Sequence, residues 1–299
     1  MVENKKKSRA GQLLLHIYFL LCCLFFIIPL VLVITSSFTD EAQIRLHGYS
    51  LFPRVWSLEA YSSIFKAPQR ILDAYAVTAF TAVVGTFFST LVMALIAYPL
   101  SRRDFAYRNG ITVFVFITML FSGGLIPSYI VNTQLLGLGN SLWIYLLPSL
   151  ANAWHIIIMR TFFQSIPVSL IESAKMDGAK ELRLLFSVIL PLSTPVLATI
   201  SLLCLLAKWN EWMVTLIYIT DNRLYTLQFM LNRILLEAEF VKNFILSVPG
   251  ASKMIDAKKV PTLSMRYAMT LLAAGPMLVI FPFFQKYFTK GLTIGAVKG

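Results

Sequence analysis

A short charged segment separates two long apolar runs in the second half of the chain, at residues 172–191. Ser169 and Glu172 have the spacing of a capping box, and Gly178 suits the position just after a helix end. This pattern predicts a helix over residues 170–177. A helix of about two turns is marginal in water, because isolated helices need roughly 12 or more residues. The segment therefore predicts a surface that docks onto a partner, which is binding chemistry and not catalysis.

The same segment resembles the cytoplasmic coupling motif of ABC importer permeases, which runs Glu-Ala-Ala, three residues, Gly, nine residues, Ile, one residue and Leu-Pro. The residues that carry the resemblance are Glu172, Ser173, Ala174, Asp177, Gly178, Ala179, Leu190 and Pro191. Ser173 and Val188 depart from the pattern, and both changes are small. The resemblance implies that the segment sits in a groove of an ATP-hydrolysing subunit and transmits its closure to the membrane helices. An ordinary amphipathic helix on a surface loop is the alternative.

A second polar cluster, Lys208-Trp209-Asn210-Glu211-Trp212, lies in a run that is otherwise apolar. Polar groups inside a membrane span are costly and usually face a water-filled path or one another. A helix would place Trp209 and Trp212 on one side, where their indoles stack on sugar rings while Asn210 and Glu211 bind hydroxyl groups. Two other interpretations stay open. The tryptophans belong to the aromatic belt at the membrane interface, or Lys208 and Glu211 neutralise each other.

This cluster, followed by Thr226-Leu227-Gln228, resembles the fifth helix of carbohydrate-importing permeases of the maltose type. Resemblance to this family covers most of residues 71–299 and is strongest at 160–191. The carboxyl-terminal tail resembles that of the maltose-type subunit whose end reaches into the ATPase dimer interface. The resemblance therefore implies contact with the ATPase at Gly295, Ala296, Val297 and Lys298. A frayed terminus is the alternative.

The composition is that of a membrane protein. Of 299 residues, 58% are hydrophobic and 13% are charged, whereas roughly a quarter of the residues in a soluble domain are charged. Six apolar stretches have about the 20 residues that a spanning helix needs. They cover residues 13–37, 74–100, 111–131, 141–163, 192–220 and 267–289. The sequence predicts an all-α polytopic membrane protein: one permease domain of residues 1–299, with six transmembrane helices and a cytoplasmic coupling helix, in segment 165–191, between spans four and five.

The distribution of basic residues predicts the orientation of these spans. An even number of spans places both termini on one side of the membrane. Lysines at positions 5–7 precede the first span, and three arginines lie at 101–110, whereas residues 132–140 carry no charge. Because short cytoplasmic loops are rich in Lys and Arg, both termini are predicted to be cytoplasmic in a bacterial inner membrane. The net charge of +12 then indicates attraction to anionic lipid, and no basic soluble domain is present to bind nucleic acid.

The residues that usually carry catalysis are dispersed. The three cysteines fall inside predicted spans, and we interpret Cys22, Cys23 and Cys204 as buried free thiols with no metal. The histidines have no catalytic partner nearby, and His155 is predicted to pack within the fourth span. The chain lacks a G-x-x-x-x-G-K-(S/T) phosphate loop. We therefore predict a transport subunit that is not an enzyme and binds no cofactor, with ATP and Mg²⁺ held by separate ATPase subunits.

Three further stretches bear on shape and substrate. Residues Gly123-Gly124-Leu125-Ile126-Pro127 are predicted to break the third span. Two predicted external segments, 38–70 and 221–266, are long enough to form surface structure. The second is rich in apolar side chains that must be covered. It is also net basic, which indicates either attraction to acidic oligosaccharides or a solvated loop.

These observations lead to one functional hypothesis. The chain is predicted to be a permease subunit of an ATP-driven importer that takes up oligosaccharides delivered by an extracellular or periplasmic binding protein. Its partners would be a second permease subunit, two ATPase subunits, that binding protein and membrane lipid. An importer permease for an amino acid, phosphate or metal is the main alternative. An ion-coupled secondary transporter is a further one, although few carboxylates lie deep in the spans.

Overall fold

The computed structural model of the protein describes residues 9–66, 68–247 and 263–296. Within those residues the regular structure is helical, apart from one antiparallel bridge between Thr39 and Trp56. The helices are α1 (Arg9–Ser37), α2 (Glu41–His47), α3 (Glu59–Ile64), α4 (Pro68–Ser101), α5 (Arg108–Leu120), α6 (Leu125–Ile130), α7 (Trp143–Leu146), α8 (Ala153–Gln164), α9 (Val168–Met176), α10 (Glu181–Leu184), α11 (Leu190–Leu192), α12 (Thr194–Trp209), α13 (Met213–Tyr218), α14 (Leu227–Ser247) and α15 (Leu263–Ala296). Two π-helical turns (Val131–Leu135 and Leu185–Ile189) and one 3₁₀ turn (Asn222–Leu224) accompany them. The predicted all-α class is confirmed.

Three of these helices are long and apolar enough to cross a membrane: α1, α4 and α15 over Leu263–Gln285. No residue in the most apolar stretch of α1 is buried within the protein. Cys22 and Cys23 lie on this helix, and Cys23 is exposed, so the prediction of buried thiols is correct only for Cys204. The three cysteines are free.

Three bent helix pairs raise the number of candidate spans to six if each pair is one span. The first joins α5 to α6 and the following π turn with a bend of 112°. Residues 121–124 between them are not helical, and Gly124 has φ +85°. The predicted break at Gly123-Gly124 is therefore present. The other pairs bend by 75° between α8 and α9, and by 82° between the segment Glu181–Leu192 and α12.

The chain divides into two compact units. The first is formed by the described residues of Met1–Pro68 and Leu231–Gly275, and the second by those of Gln69–Met230 and Pro276–Gly299. The second unit contains the hydrophobic core that supports α9. This core joins the carboxyl-terminal half of α4 to α8, α10 and α12 through side chains such as Met93, Met159, Leu184 and Ile200, each at most 1% exposed.

In the first unit, a buried carboxylate joins α2 to the start of α15. Glu41 is 5% exposed, and its Oε2 accepts hydrogen bonds from the backbone amides of Leu263 and Ser264, both at 3.0 Å. Arg45 donates to Oε1 at 2.8 Å. The first amides of a helix have no partner within the helix, so the carboxylate acts as their cap. Burial alone would raise the pKa of Glu41, but the Ser264 amide, Arg45 and the Leu263 amide together hold it below its ordinary value.

Helix α9 has one end that the sequence predicts and one that it does not. Pro167 occupies the amino-terminal cap position, and no side chain caps this end. The predicted capping box of Ser169 and Glu172 is therefore wrong, because the helix already begins at Val168. The other end matches the prediction. Gly178 has φ +78°, its amide donates to the Lys175 carbonyl, and the Ala179 amide donates to the Ala174 carbonyl, which is a Schellman motif.

We predict that Glu41→Gln loosens the start of α15, by about 1–3 kcal/mol, because a charged acceptor of backbone hydrogen bonds is lost. Hydrogen–deuterium exchange of residues 263–270 should become faster, while Glu59→Gln, at an exposed site, leaves it unchanged. The folded-state pKa is lowered, so the stabilisation is present above the ordinary value of 4.5 and is lost as the pH falls through the folded value. The two proteins should therefore converge only once the pH has fallen below the folded value, and equal exchange at pH 7 would contradict the role.

We also predict that Gly178→Ala destabilises the end of α9 by about 1–2 kcal/mol, because a side chain is strained in the left-handed conformation. The measurement is the apparent unfolding midpoint of the purified protein in detergent. Gly110→Ala is the matched control, since Gly110 lies in α5 with no atom near the added methyl group. A Gly178→Ala protein as stable as this control would count against the prediction.

Candidate functional site

One face of α9 packs on the protein and the other is exposed. Ile171 is 5% exposed and joins the hydrophobic core of the second unit, with Ala174 partly buried beside it. Elsewhere on the helix, Val168, Leu170 and Met176 are 52%, 45% and 88% exposed. The exposed residues Val168, Leu170, Glu172 and Met176 are called the docking face below.

Charged side chains hold α9 against neighbouring segments. Lys175 Nζ lies 3.3 Å from Asp104 Oδ2 and 2.8 Å from Glu181 Oε1. The Tyr98 hydroxyl, near the end of α4, donates a hydrogen bond to Glu181, and Arg102 approaches Asp104. We call this group the Lys175 clamp. Lys175 therefore forms its ion pairs within the chain.

The electrostatics of the clamp favour the charged states of Asp104, Lys175 and Glu181. Slight burial alone would raise the pKa of Asp104, but a backbone hydrogen bond, Arg102 and Lys175 together hold it below its ordinary value. The Asp104 and Glu181 side chains are 59% and 55% exposed, and Lys175 is 38% exposed. Exposed ion pairs contribute about 0–1 kcal/mol each. The clamp therefore orients α9 more than it stabilises the fold.

The other predicted coupling residues fall into two groups. Glu172, Ser173 and Asp177 are exposed, and Gly178 and Ala179 close the helix. Leu190, by contrast, packs against the hydrophobic core, and Pro191 follows it in α11. Of the predicted tail contact, Gly295 and Ala296 end α15, while Val297 and Lys298 lie outside the described residues.

The predicted sugar-binding cluster is not a continuous helix. Helix α12 ends at Trp209 with Asn210 as its cap, and α13 begins at Met213. The prediction that Trp209 and Trp212 share one helix side is therefore wrong. Trp209 is 5% exposed, with Tyr75 as a ring neighbour, whereas Trp212 is 41% exposed.

The polar residues of this cluster support the break between the two helices. Asn210 donates to the Leu206 carbonyl at 2.8 Å and accepts a hydrogen bond from Gln228 at 3.2 Å. Glu211 Oε1 accepts from the Val214 amide at 2.9 Å, so it caps α13. Both side chains therefore have structural roles, and the exposed Asn210 side chain also remains open to a ligand.

Lys208 is the residue that sequence reasoning undervalued. Its ammonium donates to Ser149 Oγ at 2.5 Å and to the Tyr145 carbonyl at 3.4 Å, and it is 9% exposed. Among the described residues no carboxylate oxygen lies within 4.0 Å of its nitrogen, so Lys208 and Glu211 form no direct ion pair and interact only across a longer distance. His155, predicted to pack within its helix, lies 3.7 Å through Nδ1 from Cys204 Sγ. The signal for Lys208 was a lysine inside an apolar run.

Comparison with known proteins gives three similar proteins of note. The polygalacturonan/rhamnogalacturonan transport system permease protein YtcP of Bacillus subtilis (strain 168) is 36% identical over 293 residues, covering 98% of this chain and 100% of that protein. Protein LplC of the same organism is 36% identical over 273 residues, with 91% and 90% covered. A crystal structure of a bacterial ABC transporter involved in the import of the acidic polysaccharide alginate has a chain with TM-score 0.78 and 26% identity, covering 94% of this chain and 98% of that one.

The family model described as binding-protein-dependent transport system inner membrane component matches residues 90–294. This range includes α9, its clamp and the cluster at the end of α12. The chain therefore belongs to the family of binding-protein-dependent transport system inner membrane components, and the resemblance predicted from residues 172–191 is confirmed.

Proposed function

We propose that this chain is one of two membrane-spanning permease subunits of an ATP-driven importer of oligosaccharides, and that its substrates are acidic fragments of polysaccharides. The observation that carries the proposal is the similarity, over 98% of the chain, to a permease named for polygalacturonan and rhamnogalacturonan transport. The solved structure that is similar over 94% of the chain belongs to an importer of another acidic polysaccharide. Both substrates contain uronate sugars, which carry carboxylates.

The proposal includes a set of partners. Two ATPase subunits would bind ATP and Mg²⁺, a binding protein outside the membrane would deliver the sugar, and a second permease subunit would complete the pathway. Both compact units would belong to one transmembrane domain of six spans, with both termini cytoplasmic and the spans in contact with lipid. The chain itself is a transport subunit and holds none of the ATP chemistry.

The docking face of α9 is the proposed contact with an ATPase subunit, together with the predicted coupling residues from Glu172 to Ala179. Support comes from three exposed apolar side chains on a helix that the Lys175 clamp holds in one orientation. Exposed apolar groups of this kind mark interaction surfaces. The residues Gly295 to Lys298 would add a second contact.

ATP would favour an outward-open arrangement only through tighter binding to that state, since coupling needs differential affinity.

The sugar pathway is proposed to pass the cluster from Trp209 to Trp212. The half-exposed Trp212 is the aromatic platform for a sugar ring in this arrangement, and Asn210 is the exposed polar group beside it. Trp209 and Glu211 hold the junction of α12 and α13. A permease for a non-sugar solute shares the coupling segment, but the carbohydrate permeases among the relatives favour the sugar proposal.

We predict that ATPase activity of the complex, co-purified with its second permease and ATPase subunits, is stimulated by binding protein loaded with acidic oligosaccharide. The physical reason is that the loaded binding protein stabilises the state in which the ATPase subunits close. Neutral oligosaccharide and unloaded binding protein are the controls. Activity indifferent to every loaded sugar would reject an oligosaccharide importer, and stimulation by neutral sugar alone would reject the acidic substrate class.

We further predict that Met176→Glu abolishes copurification of the ATPase subunits, because an unpaired carboxylate would be buried in the contact. The fold should change by less than about 0.5 kcal/mol, since the Met176 side chain is 88% exposed. Leu46→Glu, at a 75% exposed site on α2, is the matched control and should retain the ATPase. If Met176→Glu retains as much ATPase as this control, the docking face does not include residue 176.

A further inference from the structure

We propose that Lys208 forms a subsite that binds a carboxylate of the transported oligosaccharide. This inference rests on the proposed function, because it assigns the acidic group of the substrate to one residue of the pathway. It adds a charged contact to the cluster at residues 209–212, whose predicted role was limited to sugar rings and hydroxyl groups.

Lys208 lies at the wall of a cavity of about 230 Å³ within the second unit. The cavity lies between α4, the segment from α7 to α8, and the junction of α12 and α13. Its polar lining includes Tyr145, Ser149, Asn152, His155, Lys208 and Glu211. Sites for whole small molecules usually measure about 300–1,000 Å³. This cavity therefore suits one part of a ligand, such as a sugar ring with its carboxylate.

Within the described residues, both hydrogen-bond acceptors of the Lys208 ammonium are neutral. Ser149 Oγ is 2.5 Å away and the Tyr145 carbonyl oxygen 3.4 Å away. An ammonium has three N–H donors, so these two contacts leave one donor for a ligand. In the part of the chain that the structure describes, no carboxylate lies within 4.0 Å of the Lys208 nitrogen. A buried cation is costly without an anionic partner, and a carboxylate of the substrate would supply one.

Glu211 lines the same cavity, but a separate contact holds its carboxylate. Oε1 accepts the backbone amide of Val214 at 2.9 Å, at the start of α13. Glu211 therefore offsets the charge of Lys208 across the cavity without occupying its free donor. A bound uronate would make a charge-assisted hydrogen bond to Lys208, which is stronger than a bond between neutral groups.

Gly85 on α4 fixes the position of the lysine. A methyl group added at Gly85 would lie 2.8 Å from both Cδ and Cε of Lys208, which is closer than such atoms approach. The absence of a side chain at position 85 thus leaves the room through which the lysine stem passes. Gly85→Ala should displace the ammonium from the cavity while keeping its charge.

A purely structural role makes a different prediction. If Lys208 served only to hold the Tyr145 carbonyl and Ser149, its removal would weaken the complex for every ligand alike. A carboxylate subsite instead predicts a selective loss for acidic sugars. The ratio of acidic to neutral sugar binding, measured on one preparation, separates the two roles.

The test measures binding of trigalacturonate and of neutral trigalactose to the assembled complex, from the ligand-dependent shift of its unfolding midpoint. Lys208→Met should weaken trigalacturonate binding by about tenfold or more, equivalent to about 1.4 kcal/mol, and leave trigalactose binding unchanged. Lys66→Met, an exposed lysine of the first unit, is the control and should bind both sugars as the wild type does. Gly85→Ala should show the same selective loss of trigalacturonate binding. If Lys208→Met does not form the complex, the Gly85→Ala variant tests the subsite.

Equal binding of the two sugars by the wild type would overturn the subsite, as would a Lys208→Met protein that retains the preference for trigalacturonate. Uptake of oligogalacturonate by proteoliposomes with the loaded binding protein reports separately on the proposed function. Uptake by the wild type together with an unchanged Lys208→Met variant rejects the subsite alone. Absence of uptake of any oligosaccharide by the wild type rejects the proposed function.

Discussion

The bridge from Lys175 to both Asp104 and Glu181 is the interaction on which the orientation of the docking face depends. Helix α9 has nine residues and buries only Ile171 fully, which is too little to fix a helix of this length. One ammonium joins α9 to the loop after α4 and to α10, so three segments share a single tether. Each ion pair is weak because it is exposed. The clamp therefore restricts the orientation of α9, while the apolar contacts of Ile171 and Ala174 supply most of the packing energy that holds the helix in place.

Among the described residues, the buried charged side chains lie at helix ends. Glu41 and Lys208 are each at least nine-tenths buried, and both sit where a helix begins or ends. At such positions backbone groups lack partners within the helix, so a charged side chain can satisfy them and be satisfied in return. Glu41 accepts two amides of α15, and Lys208 donates to a carbonyl of α7. The difference is that Glu41 pairs directly with Arg45, whereas the described residues place no carboxylate within 4.0 Å of the Lys208 nitrogen.

The sequence predicted the features that depend on neighbouring residues and missed those that depend on residues distant in the chain. The helix at 168–176 and its glycine end depend on neighbouring residues, so a local pattern is enough to locate this segment. The start of the helix was misplaced because Pro167 sets the backbone there, which leaves Ser169 inside the first turn. The partners of Lys175 lie on other segments, and Asp104 is 71 positions away in the chain, a separation that no local pattern reveals. The prediction that Trp209 and Trp212 lie on one helix failed because α12 ends at Asn210, a residue type that is common just after helix ends.

The path of the chain connects the docking face to the candidate subsite. Glu181 of the clamp begins the segment that runs through the π turn Leu185–Ile189 and bends by 82° into α12. That helix has 16 residues and is about 24 Å long. Its last turn carries Lys208, so one helix and one bend join the clamp to the cavity along the chain. Reversing a 1:99 population of two states needs about 5.5 kcal/mol of differential binding. Ion pairs of at most about 1 kcal/mol cannot supply this energy, so under the proposed function ATP binding would provide it and the clamp would transmit it.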